Sequence, residues 1–244
     1  MLINITLLFL FAGIPYYLLF EKTKMISHEK IFFLSVMLVL TGMYVAYSYP
    51  HEFGTPFVIV SLLSAVFSFY KASRTTNFYK FAYYLLFVNA PILILFSLEQ
   101  SALYFIALIL TLMGVYSIAK HYEKNYGSAN YHSVTGVIVI TPFVGGFLSI
   151  YLITLALYPP FPSALFFLHT IFVADISVLW YVVVLFIFFA NFILAMRVMG
   201  KTVFGKPNGK IHYVDLTRGE KTVHFLIFIL LFILTIWEFK EIFK

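Results

Sequence analysis

The chain has 244 residues, of which 62% are hydrophobic and only 11% are charged, with a formal net charge of +6 at pH 7. A soluble domain normally carries about 25% charged residues. Water is therefore excluded as the solvent for most of this surface, and the composition predicts a multi-pass membrane protein that contacts the lipid bilayer. There is no Cys, which excludes disulfides and thiolate metal sites in this chain.

Nine apolar runs follow one another along the sequence. A membrane helix needs about 20 mostly apolar residues, and a barrel strand would instead alternate polar and apolar residues over about ten. Because backbone groups in lipid must be paired, the runs predict an all-α membrane protein, a bundle of about eight to nine transmembrane helices. We expect them at 1–20, 28–48, 55–71, 78–97, 101–118, 134–158, 161–174, 177–200 and 221–240.

Most Lys and Arg residues lie in alternate connections between these runs or at the ends of the runs beside them. One such group is Lys71, Arg74 and Lys80, and the longest is the basic loop 198–220. This alternation follows the positive-inside rule, so the basic charge does not indicate nucleic acid as a partner. Two full spans at 161–174 and 177–200 would put the basic loop on the wrong face, so either 161–174 does not cross or an earlier assignment is wrong.

Three prolines at Pro159, Pro160 and Pro162 interrupt the apolar pattern. Proline has no backbone donor and restricts the residue before it, so no continuous helix can pass. The pattern predicts a broken helix near 158–170 inside the membrane. Such breaks occur where protein or a water-filled cavity covers the freed carbonyls. The alternative is a tight loop at the membrane surface.

Six short sequences stand out in the second half of the chain. They are HSVTG at 132–136, TP at 141–142, LALYPPF at 155–161, NFILAMR at 191–197, VFGK at 203–206 and DLTRGE at 215–220. Their order and spacing resemble the C-terminal half of the antiporter-like subunits of complex I and the membrane-bound hydrogenases, of the NADH dehydrogenase subunit 4 (NuoM) type. The resemblance covers 131–244 and leaves 1–130 of uncertain kinship, so it implies a truncated or split member of the family.

The resemblance implies a membrane-arm subunit of a redox-driven proton or sodium pump of the NADH:quinone oxidoreductase or hydrogenase kind. Such a subunit has no active site and binds no cofactor itself besides lipids. Iron–sulfur clusters and quinone are then expected on other subunits of the complex. The implied location is an energy-transducing membrane, either a prokaryotic plasma membrane or the mitochondrial inner membrane.

One family feature is replaced in this chain. The family has a proton-handling Lys or Glu shortly after the Pro-containing turn, and by spacing Phe167 takes its place here. The chain also has no Lys between Lys80 and Lys120, so the usual central lysine relay is missing or cannot be aligned. Proton transfer by the family route is therefore not expected.

Three ionisable residues are candidates for a proton path, because charges inside a bilayer are costly and persist where they move charge. His169 lies two positions after Phe167, and an imidazole exchanges protons near neutral pH. The alternative for His169 is a neutral ring bonded to a carbonyl freed by the break. Asp175 is either a buried carboxylate or an N-cap of the next helix. Glu99 faces either the membrane surface or a polar channel.

Two further hypotheses stay open. The chain is an accessory membrane subunit that holds pumping modules together without conducting ions, or it belongs to a multisubunit sodium/proton antiporter without redox partners. The loss of a charge at Phe167 favours the accessory role, whereas His169 nearby favours transport.

Overall fold

The structure is a computed structural model that describes residues 2–23, 26–49, 54–95, 98–173 and 178–242. Within these ranges the chain is 80% helical and has no β-strand. A 3₁₀ segment, Ala90–Ile94, continues α5, and a π-helical segment, Met199–Val203, continues α10. The α-helices are α1 Leu2–Leu10, α2 Tyr17–Thr23, α3 His28–Ser48, α4 Thr55–Arg74, α5 Phe78–Asn89, α6 Leu98–Tyr126, α7 Val137–Ile140, α8 Pro142–Leu155, α9 Pro162–Val173, α10 Val178–Val198 and α11 Arg218–Ile242.

Among the residues that the structure describes, five helical segments are long and apolar enough to cross a membrane. Their length and composition support a multi-pass helical membrane protein, and the predicted total of eight to nine spans is not confirmed. Phe78–Ile94 and Pro142–Leu155 are apolar but shorter. The five candidates are His28–Ser48, Thr55–Arg74, Glu99–Tyr126, Val178–Val203 and Arg218–Lys240.

The prediction of one helix over 1–20 is wrong, because the run forms two helices. α1 ends at Leu10 and α2 begins at Tyr17. Ala12, between them, has a positive φ of 56°, and Pro15 cannot donate a helical hydrogen bond. The Ser64 hydroxyl donates to the Ala12 carbonyl at 2.9 Å, so this carbonyl in the interruption has a partner.

The prediction of one helix over 134–158 is also wrong. Pro142 has no N–H, and the chain forms the short α7 before Thr141 and the 14-residue α8 after it. At 1.5 Å per residue, α8 is about 21 Å long and falls short of a 30 Å hydrocarbon layer. The run 78–97 is likewise shortened, since α5 gives way to the 3₁₀ segment that contains Pro91.

The predicted helix interruption at the prolines is confirmed. α8 ends at Leu155, α9 begins at Pro162, and the Pro159–Pro160 peptide bond is cis. Pro162 occupies the first helical position, where a missing N–H costs nothing. The depth of this interruption in a bilayer stays a prediction.

The chain forms two compact units, each assembled from separate stretches of sequence. The first comprises Met1–Thr75, Lys80–Ala102 and Val173–Ala190, and the second comprises Thr76–Tyr79, Leu103–Phe172 and Asn191–Lys244. The division at residue 130 concerns kinship with a family and stays a prediction.

Close helix packing at glycines holds each unit together. In the first unit, a Cβ added to Gly42 on α3 would lie 2.9 Å from the Cβ of Leu10 on α1. In the second, a Cβ added to Gly114 on α6 would lie 2.3 Å from Cζ of Tyr151 on α8. Small residues allow such approach where no hydrophobic effect drives helices together, as in lipid.

Some of the sequences that carry the family resemblance contact one another or the start of α8 in the second unit. The Thr135 hydroxyl donates to the Lys206 carbonyl at 2.6 Å. The Asp215 carboxylate accepts from the Val144 N–H at 3.1 Å and therefore caps the start of α8. These contacts give the sequences a structural role, because they join α8 and α11 to the connecting loops.

Candidate functional site

A partly buried imidazole–carboxylate pair in the second unit includes a residue of α9, the helix that follows the proline interruption. His169 is on α9, and its Nδ1 is 2.5 Å from Oε1 of Glu238 on α11. The Glu238 side chain is only 3% exposed, and that of His169 is 24% exposed. The pair therefore connects a partly exposed imidazole with an almost completely buried carboxylate.

The chemistry of this pair is the sharing and exchange of a proton. An imidazole nitrogen can donate or accept, and a carboxyl group donates only when protonated. When Nε2 is protonated and one further proton lies between Nδ1 and Oε1, the pair is neutral overall, either as imidazole and acid or as imidazolium and carboxylate. Loss of one proton leaves a neutral imidazole and a carboxylate with a net charge of −1, so proton uptake or release changes the charge of the pair by one.

A cavity of about 200 Å³ lies between the interruption and α11. Thr235, one helical turn before Glu238, is its polar member, and the Thr235 hydroxyl donates to the Leu231 carbonyl at 3.0 Å. The cavity places free space next to the turn that carries Glu238, although most of its wall is apolar. Its lining residues are Pro160, Phe161, Phe228, Leu231, Phe232 and Thr235.

A second polar cluster lies at the start of α11. Thr217 and Glu220 form a capping box, since the Thr217 N–H donates to Glu220 Oε2 at 2.8 Å and the Glu220 N–H donates to the Thr217 hydroxyl at 3.4 Å. His121 Nδ1, on α6, is 3.3 Å from the same carboxylate, and its Nε2 is 3.0 Å from the Val214 carbonyl. Both ring nitrogens donate to these oxygens only when the ring is an imidazolium.

His224, one turn further along α11, is completely buried. Its Nδ1 is 2.8 Å from the Tyr151 hydroxyl, and Phe147 stacks on the ring at 5.1 Å between centroids. Within the described part of the chain, His224 Nε2 has no hydrogen-bond partner. A buried unpaired nitrogen costs about 1–3 kcal/mol, so it needs a reason beyond packing.

Both clusters lie on one face of α11. Its buried side chains recur every three or four residues, as expected for one side of a helix. Glu220 and Glu238 are 18 residues apart, or about 27 Å along the axis, close to the thickness of the hydrocarbon layer. Apolar side chains separate the polar ones in the middle. The buried set is His224, Ile227, Leu231, Thr235 and Glu238.

The other predicted proton-path residues are Glu99 and Asp175. Glu99 is exposed in the first turn of α6, within the first unit. The positive end of the helix dipole stabilises a carboxylate at that position. Asp175 lies outside the described residues. Phe167, at the position of the family Lys or Glu, is buried, with 2% of its surface exposed.

Glu238 and His224 were not predicted from the sequence. Their signal is the spacing of polar residues in the last apolar run, where positions 220, 224, 235 and 238 fall on one helical face. His169 and Glu238 are 69 residues apart, so spacing alone could not pair them.

In the described ranges, no group of three or more His, Cys, Asp or Glu side chains could hold a metal ion. A scan of the sequence against protein-family models finds no match. A search of curated proteins finds no match either.

Proposed function

We propose that this chain is a membrane subunit of a redox-driven proton- or sodium-translocating complex, related to NADH:quinone oxidoreductase or membrane-bound hydrogenase. The observation that carries the proposal is the His169–Glu238 pair beside an interrupted helix. Ionisable groups inside a bilayer cost about 2.5–3.5 kcal/mol each on insertion scales, and they are retained mainly where charge moves. The family resemblance of 131–244 supplies the redox part of the proposal.

The pair would act as a proton relay at the position of the interruption. His169, which is partly exposed, takes up a proton and shares it with Glu238, which is buried. A conformational change in the partner subunits would then release the proton toward the other side of the membrane. The chain has no Cys to hold an iron–sulfur cluster, so electron transfer would occur in other subunits, together with quinone.

A second candidate function, an accessory subunit that conducts no ions, is favoured by a specific observation. Phe167 is buried where the family has a charge, and Ile227 and Leu231 place apolar side chains between the two polar clusters of α11. In that case the His169–Glu238 pair would only fix α9 against α11.

The experiment that tests the proposal has two stages. The tagged chain is purified in mild detergent, and the proteins that accompany it are identified by mass spectrometry. Iron–sulfur or quinone-binding subunits support the proposal, whereas recovery alone or with antiporter subunits only contradicts it.

The second stage measures proton transport in membrane vesicles that contain the assembled complex. We expect His169→Ala to reduce transport strongly while His212→Ala, in an exposed loop of the same unit, leaves it unchanged. Equal transport by both variants in a fully assembled complex would favour the accessory role.

A further inference from the structure

A basic cavity of about 190 Å³ lies in the first unit, where α4 ends and α5 begins. Three of its five lining residues are cations, and the other two carry hydroxyl groups. It differs from the apolar spaces between helices because its wall offers charge and hydrogen-bond donors together. The lining residues are Lys71, Arg74, Thr75, Lys80 and Tyr84.

Glu21, on α2, fixes one side of this cavity. The Tyr83 hydroxyl donates to Glu21 Oε1, the Tyr84 hydroxyl donates to the same atom at 2.5 Å, and Lys71 Nζ is 3.6 Å from Oε2. Burial alone would raise the pKa of Glu21, but these hydrogen bonds and the charges of Lys71 and Lys80 lower it below its ordinary value. Glu21 is therefore a carboxylate at neutral pH.

Three cations line the cavity, and one of them, Lys71, is paired with Glu21. Arg74 adds a second fixed feature, since its guanidinium lies 5.4 Å from the centre of the Tyr70 ring. Stacking on an aromatic ring holds a guanidinium in place without neutralising it. Lys71 and Arg74 therefore present positive charge to the cavity from defined positions.

Helix electrostatics account for only part of this charge. Lys71 and Arg74 lie in the last turn of α4, where cations favour the negative end of the helix dipole. Lys80 is in the first turn of α5, where the dipole disfavours a cation. The helix dipole therefore does not account for a cation at this position, and Lys80 lines the same cavity.

We propose that this cavity binds the phosphate group of an anionic membrane phospholipid. Lysine and arginine are the side chains that bind phosphate, and hydroxyl groups add hydrogen bonds to its oxygens. The cavity lies at the end of the candidate span Thr55–Arg74, in a basic connection of the kind that faces the anionic leaflet. That position favours a lipid headgroup over a free phosphate ion, and the inference does not depend on the proton relay.

The test is lipid binding by the purified chain in a neutral detergent. Phosphatidylglycerol, phosphatidylcholine and inorganic phosphate are titrated separately, with thermal unfolding and native mass spectrometry as readouts. We expect phosphatidylglycerol to raise the unfolding temperature and to remain bound in one copy, and phosphatidylcholine to do neither. Stabilisation by inorganic phosphate equal to that by phosphatidylglycerol would overturn the lipid proposal in favour of a soluble phosphate.

Two variants locate the binding site. Arg74→Gln and Lys80→Gln should each weaken phosphatidylglycerol binding about fivefold, since a cation near an anionic surface contributes about 1 kcal/mol. Lys210→Gln, an exposed cation in a loop of the second unit, is the matched control and should change nothing. Unchanged binding by the Arg74→Gln, Lys80→Gln double variant would overturn the site. If a variant fails to fold, selective retention of phosphatidylglycerol by the natural chain still decides whether the lipid binds.

Discussion

Two largely buried carboxylates, one in each unit, have opposite kinds of partner. Glu21 accepts hydrogen bonds from Tyr83 and Tyr84 and lies beside Lys71, so its partners are two hydroxyl donors and a cation. Glu238 is bonded to His169, and an imidazole nitrogen can either donate or accept a proton. Burial alone therefore does not make a carboxylate a proton carrier.

The difference teaches that the partner determines what a buried acid does. The two hydroxyl groups and the cation beside Glu21 stabilise its charged form, and the carboxylate in turn positions them. An imidazole shares its proton, so the state of Glu238 can follow that of its neighbour. If the partners of Glu21 or of Glu238 are removed or exchanged, the fixed charge of the one or the proton exchange of the other should change or be lost.

The largest effect is expected for Glu238→Gln, which keeps the shape of the side chain but cannot carry the proton. In vesicles that contain the assembled complex, proton transport should fall about a hundredfold or more, the range typical of a positioned acid–base group. In the purified chain, infrared titration should lose one carboxyl signal that changes with pH.

Glu99→Gln is the control for this experiment, because it removes the same charge from an exposed helix start. It should leave transport intact. Normal transport by Glu238→Gln would contradict the relay and leave the pair with a purely structural role.

The second largest effect is expected on the stability of the chain, for the variant Glu21→Gln. The variant leaves Lys71 without its anion and weakens two tyrosine hydrogen bonds, at a cost of about 2–4 kcal/mol. For a chain of this size the unfolding temperature should fall by about 5–12 °C. Thermal unfolding in detergent measures the change, and a loss as small as that of Glu99→Gln would show that Glu21 is not a fixed structural charge.

The same carboxylate predicts a pH dependence. Because the pKa of Glu21 is lower when folded than its ordinary value of 4.5, its contribution to stability is complete above that value. The contribution is lost as the pH falls through the lower, folded pKa. The stability difference between the natural chain and Glu21→Gln should therefore be constant near neutrality and shrink only below about pH 4.5. A difference that already shrinks between pH 7 and pH 5 would mean that Glu21 is protonated far more easily than its partners allow.

Much of the helical pattern could be predicted from the sequence, since apolar runs at 28–48, 177–200 and 221–240 correspond closely to helices. The errors fall at prolines within apolar runs. Pro15, Pro91 and Pro142 each lie where a predicted helix divides or changes form, because hydropathy averages over a residue that lacks a donor. Polar hydroxyls such as that of Ser64 then satisfy carbonyls at the break.

Of the two residues that form the candidate site, only His169 could be predicted from the sequence. His169 is conspicuous because it is the ionisable residue nearest the prolines, whereas Glu238 lies near the end of the chain among other polar residues. Only tertiary packing of α9 against α11 brings them together. The Glu21 cluster depends in the same way on residues 50 to 63 positions apart.

The smallest predicted effect tests the Glu21 cluster one bond at a time. Tyr83→Phe removes a single hydroxyl from a buried ring, and hydrogen bonds to charged groups contribute about 1.5–3 kcal/mol. Tyr84 and Lys71 still hold the carboxylate, so the net loss should be about 1–2 kcal/mol. In a Glu21→Leu background the same substitution should cost less than about 0.5 kcal/mol, because the acceptor is already gone.

Tyr122→Phe is the control: its buried hydroxyl has no hydrogen-bond partner among the described residues, so its removal should be neutral or stabilising. Equal losses for Tyr83→Phe in both backgrounds would show that the ring, and not its bond to Glu21, stabilises the unit. The carboxylate would then be retained for its charge alone, as the anchor of the basic cavity.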